Sequence, residues 1–309
     1  MTASGPRWLV YAQLAAGMAI FGSATPMSKI VTEAFPVFLA SGLRMVLSAA
    51  VLLPIVWAMK TPVRDFEKRD WGVLAAIALV GMFGFTVLLL FGMKMVSGVT
   101  GSIVMSTAPA VTAALSFLFY KDRLGWRKSA GIALAVAGVL LLNVTGKEDQ
   151  SGGGSPLLGT VLVFLAVCSE AGYTLFGKLA TERLTPYAIA GLSAAISIPI
   201  FLPFAVWDAS GFDFAKPGTG EWIALVWWGA GTMVLGSVLW YSGVAKVEGS
   251  TAAGFMGVMP ASALILSYVL LGEPFLWPQL AGFAIVFAGV CVIAWAHARP
   301  KEEEDGGSR

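Results

Sequence analysis

The chain has 309 residues, 57% of them hydrophobic and only 12% charged, with a net charge of +2 and a mean hydropathy of +0.80. A soluble protein with so few polar residues could not cover its own surface, so the composition points to a multispanning membrane protein. The small net charge leaves no electrostatic footprint for nucleic acid, and the two cysteines, Cys168 and Cys291, sit inside apolar runs with neither disulfide nor metal spacing.

Apolar runs of about 20 residues, each long enough to cross about 30 Å of hydrocarbon as a helix, recur along the chain. The first covers Trp8 to Val31; it is longer than a secretory signal core and contains Pro26 and Lys29. Pro36 to Trp57 is the second, followed by a loop with Lys60, Arg64, Lys68 and Arg69, and Trp71 to Phe91 the third. Ser97 to Tyr120 is the fourth, interrupted by Pro109. A basic loop, Lys121 to Lys128, leads into a fifth span ending near Asn143. The Gly- and Ser-rich stretch 145–156 reads as a linker. Further spans follow at Leu157–Ala180, Pro186–Val206, Glu221–Gly243, Gly249–Leu271 and Leu276–His297, and the charged tail 299–309 reads as disordered.

The stretch from Gly92 to Val139 returns 151 positions later, from Gly243 to Val290, without a gap. Gly92, Gly98, Thr100, Met105, Pro109, Ser116, Trp126, Gly131 and Gly138 all meet their own residue type again. Such self-similarity marks an internal duplication, with repeats at 1–144 and 157–298. Five spans per copy is an odd number, so the second copy starts on the opposite side of the membrane and the halves are inverted. The charges agree: with the N-terminus in the cytoplasm, about fourteen of the twenty Lys and Arg are cytoplasmic, and Lys94, Lys147 and Lys216 lie outside. KDRLGWRK, between the fourth and fifth spans, becomes GEPFLWPQ between the ninth and tenth, a loop without cations. The expected fold is all-α, with ten transmembrane helices in two inverted five-helix repeats around a central cavity and both termini cytoplasmic.

FGSATPMSKI in the first span, FLASGLRMVLSAAVLL in the second, TAPAV and VMPAS around Pro109 and Pro260, and LGEPFLWPQLAGFAIVFAGVCVI at the end resemble the EamA-type branch of the drug/metabolite transporter superfamily, and within it the exporters of aromatic and neutral amino acids. The resemblance implies ten helices, a central cavity and export of small metabolites across the inner membrane. Departures from the pattern are Phe21 in place of a frequent Trp, Asp122 in place of Glu, and Arg44, whose repeat counterpart reads as Ala194.

Candidate site residues are polar groups that hydrocarbon does not tolerate without a reason. Arg44 and Glu170 fall near mid-membrane, where an isolated ion costs about 2.5–3.5 kcal/mol on the mildest scale. They form either a structural ion pair or a substrate and proton site. Lys29 and Lys178 are repeat equivalents that either snorkel or face inward; Thr25, Ser28 and Lys29 share one helical stripe, as do Glu170, Tyr173, Thr174, Gly177 and Lys178. Met82, Phe85 and Thr86 recur as Met233, Gly236 and Ser237, followed by Trp240 and Tyr241. With Met105 and Met256 these are either helix packing or a pliable apolar wall for a small amphipathic ligand. Pro109 and Pro260 are hinges or static kinks. Gly131 with Gly138, and Gly282 with Gly289, form a close-packing face, which puts the fifth and tenth helices at the periphery. Trp8, Trp57, Trp71, Trp222, Trp227 and Trp295 read as interfacial anchors.

No nucleotide-binding loop, metal motif or nucleophile with its base is present, and the single His is His297. The expectation is therefore a non-enzymatic secondary or facilitative transporter in the inner membrane. It needs no cofactor, meets a small-molecule substrate and lipid, has protons as a candidate coupling ion, and is able to act as a monomer. Amino acids are the leading substrate class; drugs, purines and organic cations are alternatives. From other classes, an intramembrane lipid-modifying enzyme would want its polar cluster at the interface, and a scaffold would need none.

Overall fold

The computed structural model describes residues 7–61, 63, 66–120, 126–145, 155–180, 184–247 and 249–298. Asp122, most of the basic loop, Lys147 with nearly all of the linker, and the tail lie outside the described residues, as does the side chain of Trp295. Every described element is helical. In chain order they are α1 (Arg7–Gly22), α2 (Ala24–Ala34), α3 (Val37–Ala58), α4 (Lys68–Ala76), a π-helical stretch (Ile77–Gly84), α5 (Phe85–Met93), α6 (Gly98–Met105), α7 (Ala108–Tyr120) and α8 (Trp126–Thr145). Then follow α9 (Pro156–Ala180), α10 (Pro186–Ser210), α11 (Thr219–Val226), a second π-helical stretch (Trp227–Gly236), α12 (Ser237–Val244), α13 (Gly249–Phe255), α14 (Val258–Leu271) and α15 (Trp277–Ala298). Several of these run end to end, so that among the described residues seven helices are long and apolar enough to cross a membrane, and Ser129–Leu141, Val258–Leu271 and Trp277–Ile293 are shorter apolar helices.

The proline breaks fall N-terminal to the prolines. The fourth run divides at Ser106–Thr107, before Pro109, and the ninth at Met256–Gly257, before Pro260. Proline lacks an N–H and its ring crowds the carbonyl four residues back, here Met105 and Met256, so the chain gives way there. Pro26 does the same to the first run, which divides at Ser23. The equivalent run of the second half, α9, has Leu175 in place of that proline and continues unbroken for 25 residues.

Equivalent helices pack on each other, and they do so reciprocally. A Cβ on Gly131 would lie 2.8 Å from the Gly289 carbonyl, and one on Gly138 2.8 Å from the Gly282 carbonyl, so α8 and α15 run antiparallel through the expected glycine face. A Cβ on Gly42 would stand 3.0 Å from Ala205 Cβ and one on Gly191 3.0 Å from Leu52 Cβ, the same exchange between α3 and α10. Gly92 meets Val163 and Gly243 meets Leu14, which pairs α5 with α9 and α12 with α1. Contacts that exchange in this way are those of a two-fold axis lying across the helices. α8 and α15 pack chiefly on one another, and they also meet α6, α7, α13 and, through the Tyr268–Gln279 hydrogen bond, α14.

The π-helical stretches also repeat, and each is supported from the facing helix. Ser48 on α3 donates its hydroxyl to the Gly229 carbonyl at 2.9 Å, and the Ser197 hydroxyl on α10 is shared between the Ser193 carbonyl of its own helix at 2.8 Å and the Ala78 carbonyl at 3.3 Å. A π-helix is wider than an α-helix and its carbonyls are less well satisfied, so a serine donor from outside stabilises it. Ser48 and Ser197 are 149 positions apart, as are Pro54 and Pro203. In that register the counterpart of Arg44 is Ser193, which donates to the Leu74 carbonyl at 3.4 Å, and not Ala194. Ser193 and Ala194 are both small, so local sequence pattern does not separate the two positions.

Helix ends inside the bundle are capped from other elements. Pro36 offers no capping side chain to α3; the Asp208 carboxylate accepts from the Phe38 and Leu39 N–H groups, at 2.9 and 3.2 Å. The α14 helix ends at Gly272, whose φ of +63° glycine tolerates best, and the turn delivers Glu273 to the N-terminus of α6. There the carboxylate accepts from the Gly98 and Val99 N–H groups.

Candidate functional site

Arg44, eight residues into α3, is 6% exposed. Its Nη1 donates to Thr86 Oγ1 at 3.2 Å, and the guanidinium carbon stands 4.1 Å from the Trp228 ring centroid and 5.9 Å from that of Phe85. Stacking on two rings suits a planar, weakly hydrated cation. Glu170 on α9 is the charge that acts on Arg44, and Arg44 the charge that acts on Glu170, yet the two do not form an ion pair. Arg44 Nε, Glu170 Oε2 and Trp228 Nε1 are instead buried without any hydrogen-bond partner. A buried donor or acceptor left unmade costs about 1–3 kcal/mol, and more when charged. The fold carries that cost at one place, on two opposite charges and the indole beside one of them.

Two of the other candidates meet Arg44. Phe85 and Thr86 contact Arg44 directly. Tyr173 is half-buried and lies over Gly81 in the first π-helical stretch, where a Cβ would come within 2.6 Å of its own. Tyr173 and Tyr241 are electrostatic neighbours, and Tyr241 meets Tyr187 edge-on at 6.1 Å. Ser237, the counterpart of Thr86, is buried, and Trp240 is half-buried with its backbone against Gly17.

Others are placed elsewhere. Lys29 is buried and donates to the Met93 carbonyl at 2.9 Å, with Glu33 at 3.4 Å, so it fastens α2 to the end of α5. Lys178 is exposed. Thr25 is buried against α6, and its carbonyl accepts from Ser28. Thr174 is exposed and bonds to the Glu170 carbonyl of its own helix at 3.2 Å, which takes its hydroxyl out of the stripe. Met82 packs among Met45, Ala49, Ala194 and Phe201, and Met105 joins the largest apolar cluster, while Met256 is 44% exposed. Two tryptophans read as interfacial anchors have interior roles. Trp222 packs edge-on against Phe35 at 4.9 Å, and the Trp227 indole donates to Ser23 at 2.8 Å across the break in the first run.

Sequence reasoning missed Trp228, because an indole in an aromatic-rich span resembles its neighbours until the fold sets it against Arg44. It also missed the π-helical stretches. Their traces were the glycines Gly81 and Gly84, then Gly229, Gly231 and Gly236, opposite two serines at matching repeat positions. Among the described residues no group of His, Cys, Asp and Glu could hold a metal ion.

Fold, composition and buried charges define a multi-pass membrane transport protein. The chain matches the EamA-like transporter family twice, over residues 8–144 and 157–295, and it belongs to that family. It is 36% identical to the uncharacterized transporter YetK of Bacillus subtilis (strain 168), over 94% of this chain and 88% of that one. It is 26% identical to a probable terminal-alkyne amino-acid exporter of Streptantibioticus cattleyicolor, over 75% of each chain. A crystal structure with 16% identity superposes with a TM-score of 0.63 over 92% of this chain and 96% of that one, which is a likeness of fold.

Proposed function

We propose that the protein is a secondary or facilitative transporter that exports small amphipathic metabolites, foremost amino acids, across the plasma membrane by alternating access. In this reading ten helices form two inverted five-helix repeats with both termini in the cytoplasm. The seven long helices, the three shorter apolar ones and the reciprocal contacts of α3 with α10 and α8 with α15 support that count and symmetry.

The observation that carries the transport reading is a pair of opposite charges buried in the bundle, Arg44 and Glu170, each with a side-chain polar atom left without a hydrogen-bond partner. A structural pair would close on itself; a binding site leaves its groups for a ligand.

Unequal burial of repeat equivalents supports alternating access. Lys29 and Met105 are buried, whereas Lys178 and Met256 are exposed, and Thr25 is buried where Thr174 is exposed. In an inverted repeat the two members of each pair face opposite sides of the membrane, so the unequal burial supports reading this arrangement as sealed outside and open to the cytoplasm. Exchanging the two arrangements opens the other side, with the breaks before Pro109 and Pro260 as matched hinges.

Counterflow in proteoliposomes, with a panel of amino acids and an imposed pH gradient, tests the proposal. Accumulation of at least one amino acid is expected, with a pH response that Glu170→Gln abolishes while the variant stays folded. If folded Glu170→Gln protein transports at the normal rate with an unaltered pH response, Glu170 is not the protonatable element.

A further inference from the structure

Two helices that are equivalent by the repeat stand in opposite states of cover. Every residue of α6 is buried, whereas in α13, its image 151 positions later, Thr251 and Phe255 are half-buried and Gly254 is exposed. The cover comes from α14, which packs along α6; the mirror contact, α7 on α13, is at most marginal among the described residues. Ser267 on α14 is accordingly fully buried, and its counterpart Ser116 on α7 half-buried. The seam between α6 and α14 is polar at its centre and at one end. Ser102 and Ser267 meet hydroxyl to hydroxyl at 2.9 Å, and the Gly98 carbonyl lies 2.8 Å from the first and 3.3 Å from the second. At the end of the seam the Glu273 carboxylate accepts from the Gly98 N–H and, at 2.8 Å, from the Val99 N–H. The approach is close: a Cβ on Gly98 would run into the Leu271 side chain and stand 3.2 Å from Glu273 Oε1.

We propose that this seam is the outer gate of the transporter and that Glu273 is the latch that holds it shut. The proposal rests on the transport reading above and adds the contact that breaks when the outer side opens. Glu273 follows the ninth span and holds the first two N–H groups of α6, at the start of the fourth span, so its bonds join the two halves of the chain at the end of each span that faces out. A carboxylate on the positive end of a helix makes charge-assisted bonds, which keep the seam closed. Carboxylate and amide N–H groups are also well solvated by water, so the latch parts without stranding either partner once the gate admits solvent. The Ser102 and Ser267 hydroxyls share that property. Ser102 has Ala253 as its repeat counterpart, so the mirror seam has no hydroxyl pair at that position. The outer seam is therefore the stronger of the two, and the resting protein faces the cytoplasm, where an exporter meets its substrate.

The test uses the full-length protein in a background without Cys168 and Cys291. Ser102→Cys together with Ser267→Cys sets two thiols where the hydroxyls stand 2.9 Å apart, within reach of a disulfide across the seam. In proteoliposome counterflow with the common amino acids, oxidising this double variant is expected to cut transport at least about tenfold, and reductant to restore it. In a second arm, Thr100→Cys on α6 and Thr251→Cys on α13 report the two sides to an impermeant thiol reagent. Adding Glu273→Ala is expected to raise labelling at position 100 from outside by about fivefold or more and to lower labelling at position 251 from the cytoplasmic side. A misfolded variant would raise both, so the reciprocal change reads the gate, and the disulfide arm, which keeps Glu273, decides the matter if Glu273→Ala does not fold. The gate is overturned if the cross-linked protein transports at the reduced protein's rate, or if folded Glu273→Ala leaves both reactivities unchanged. If the reduced protein moves no solute at all, the transport reading falls and the gate with it.

Discussion

Lys29 donates from Nζ to the main-chain oxygen of Met93 at 2.9 Å, joining the middle of α2 to the last turn of α5. The last carbonyls of a helix lack intrahelical donors and carry partial negative charge, so an ammonium satisfies both needs at once. Lys29→Met keeps the length of the side chain and removes the charge. It is expected to weaken the outer seal by about 1.5–3 kcal/mol, the range for a hydrogen bond to a charged group. A cysteine at Thr25, in a background without Cys168 and Cys291, should then gain reactivity toward an impermeant thiol reagent from outside; unchanged reactivity would leave Lys29 a packing residue.

The serine supports of the π-helical stretches make a paired prediction. Ser48→Ala removes the serine donor from the Gly229 carbonyl and Ser197→Ala the one shared with the Ala78 carbonyl, each at an expected cost of about 0.5–1.5 kcal/mol. They lie in different halves and share no partner, so the double variant should lose the sum to within about 0.5 kcal/mol. Unfolding in detergent measures all three, and a loss confined to one serine would break the equivalence of the two supports.

Glycine substitutions separate close packing from open surface. A Cβ at Gly289 would sit 2.6 Å from the Gly131 carbonyl, so Gly289→Ala should force α8 from α15 and cost about 1–3 kcal/mol. Gly177, inside α9, has nothing within 4 Å of an added Cβ, and Gly177→Ala should stabilise by up to about 1 kcal/mol through helix propensity. Melting temperatures moving in opposite directions are the expected result.

Sidedness follows from the charge bias. Single cysteines at Lys216, between α10 and α11, and at Lys60, after α3, should behave oppositely in intact cells: the first labelled by an impermeant reagent, the second protected. The reverse pattern would invert the whole assignment.

Much of the architecture was legible because membrane helices advertise themselves. Apolar length is set by bilayer thickness, and cations by the side they face, so runs such as Pro36 to Trp57 emerged within a few residues of α3. The glycine face was legible too, since Gly131 and Gly138 recur as Gly282 and Gly289, and repetition in a nearly featureless apolar sequence is information. The breaks were displaced because proline acts on the carbonyl four residues back, as at Met105 and Met256.

The sequence by itself determined a membrane medium, a duplicated unit and two buried charges in need of company, all of which follow from composition, spacing and the cost of an ion in hydrocarbon. Only the tertiary structure decided which company they keep. Whether Arg44 meets Glu170, Thr86 or Trp228 depends on how α3, α5, α9 and the second π-helical stretch rotate against one another, and those elements come from both halves of the chain. Helix rotation is fixed by small-residue contacts, such as Gly229 against α3, and by serine bonds to π-helical carbonyls, each between residues far apart in sequence. A local pattern records which residues are polar; it does not record which polar atoms the packing leaves unsatisfied.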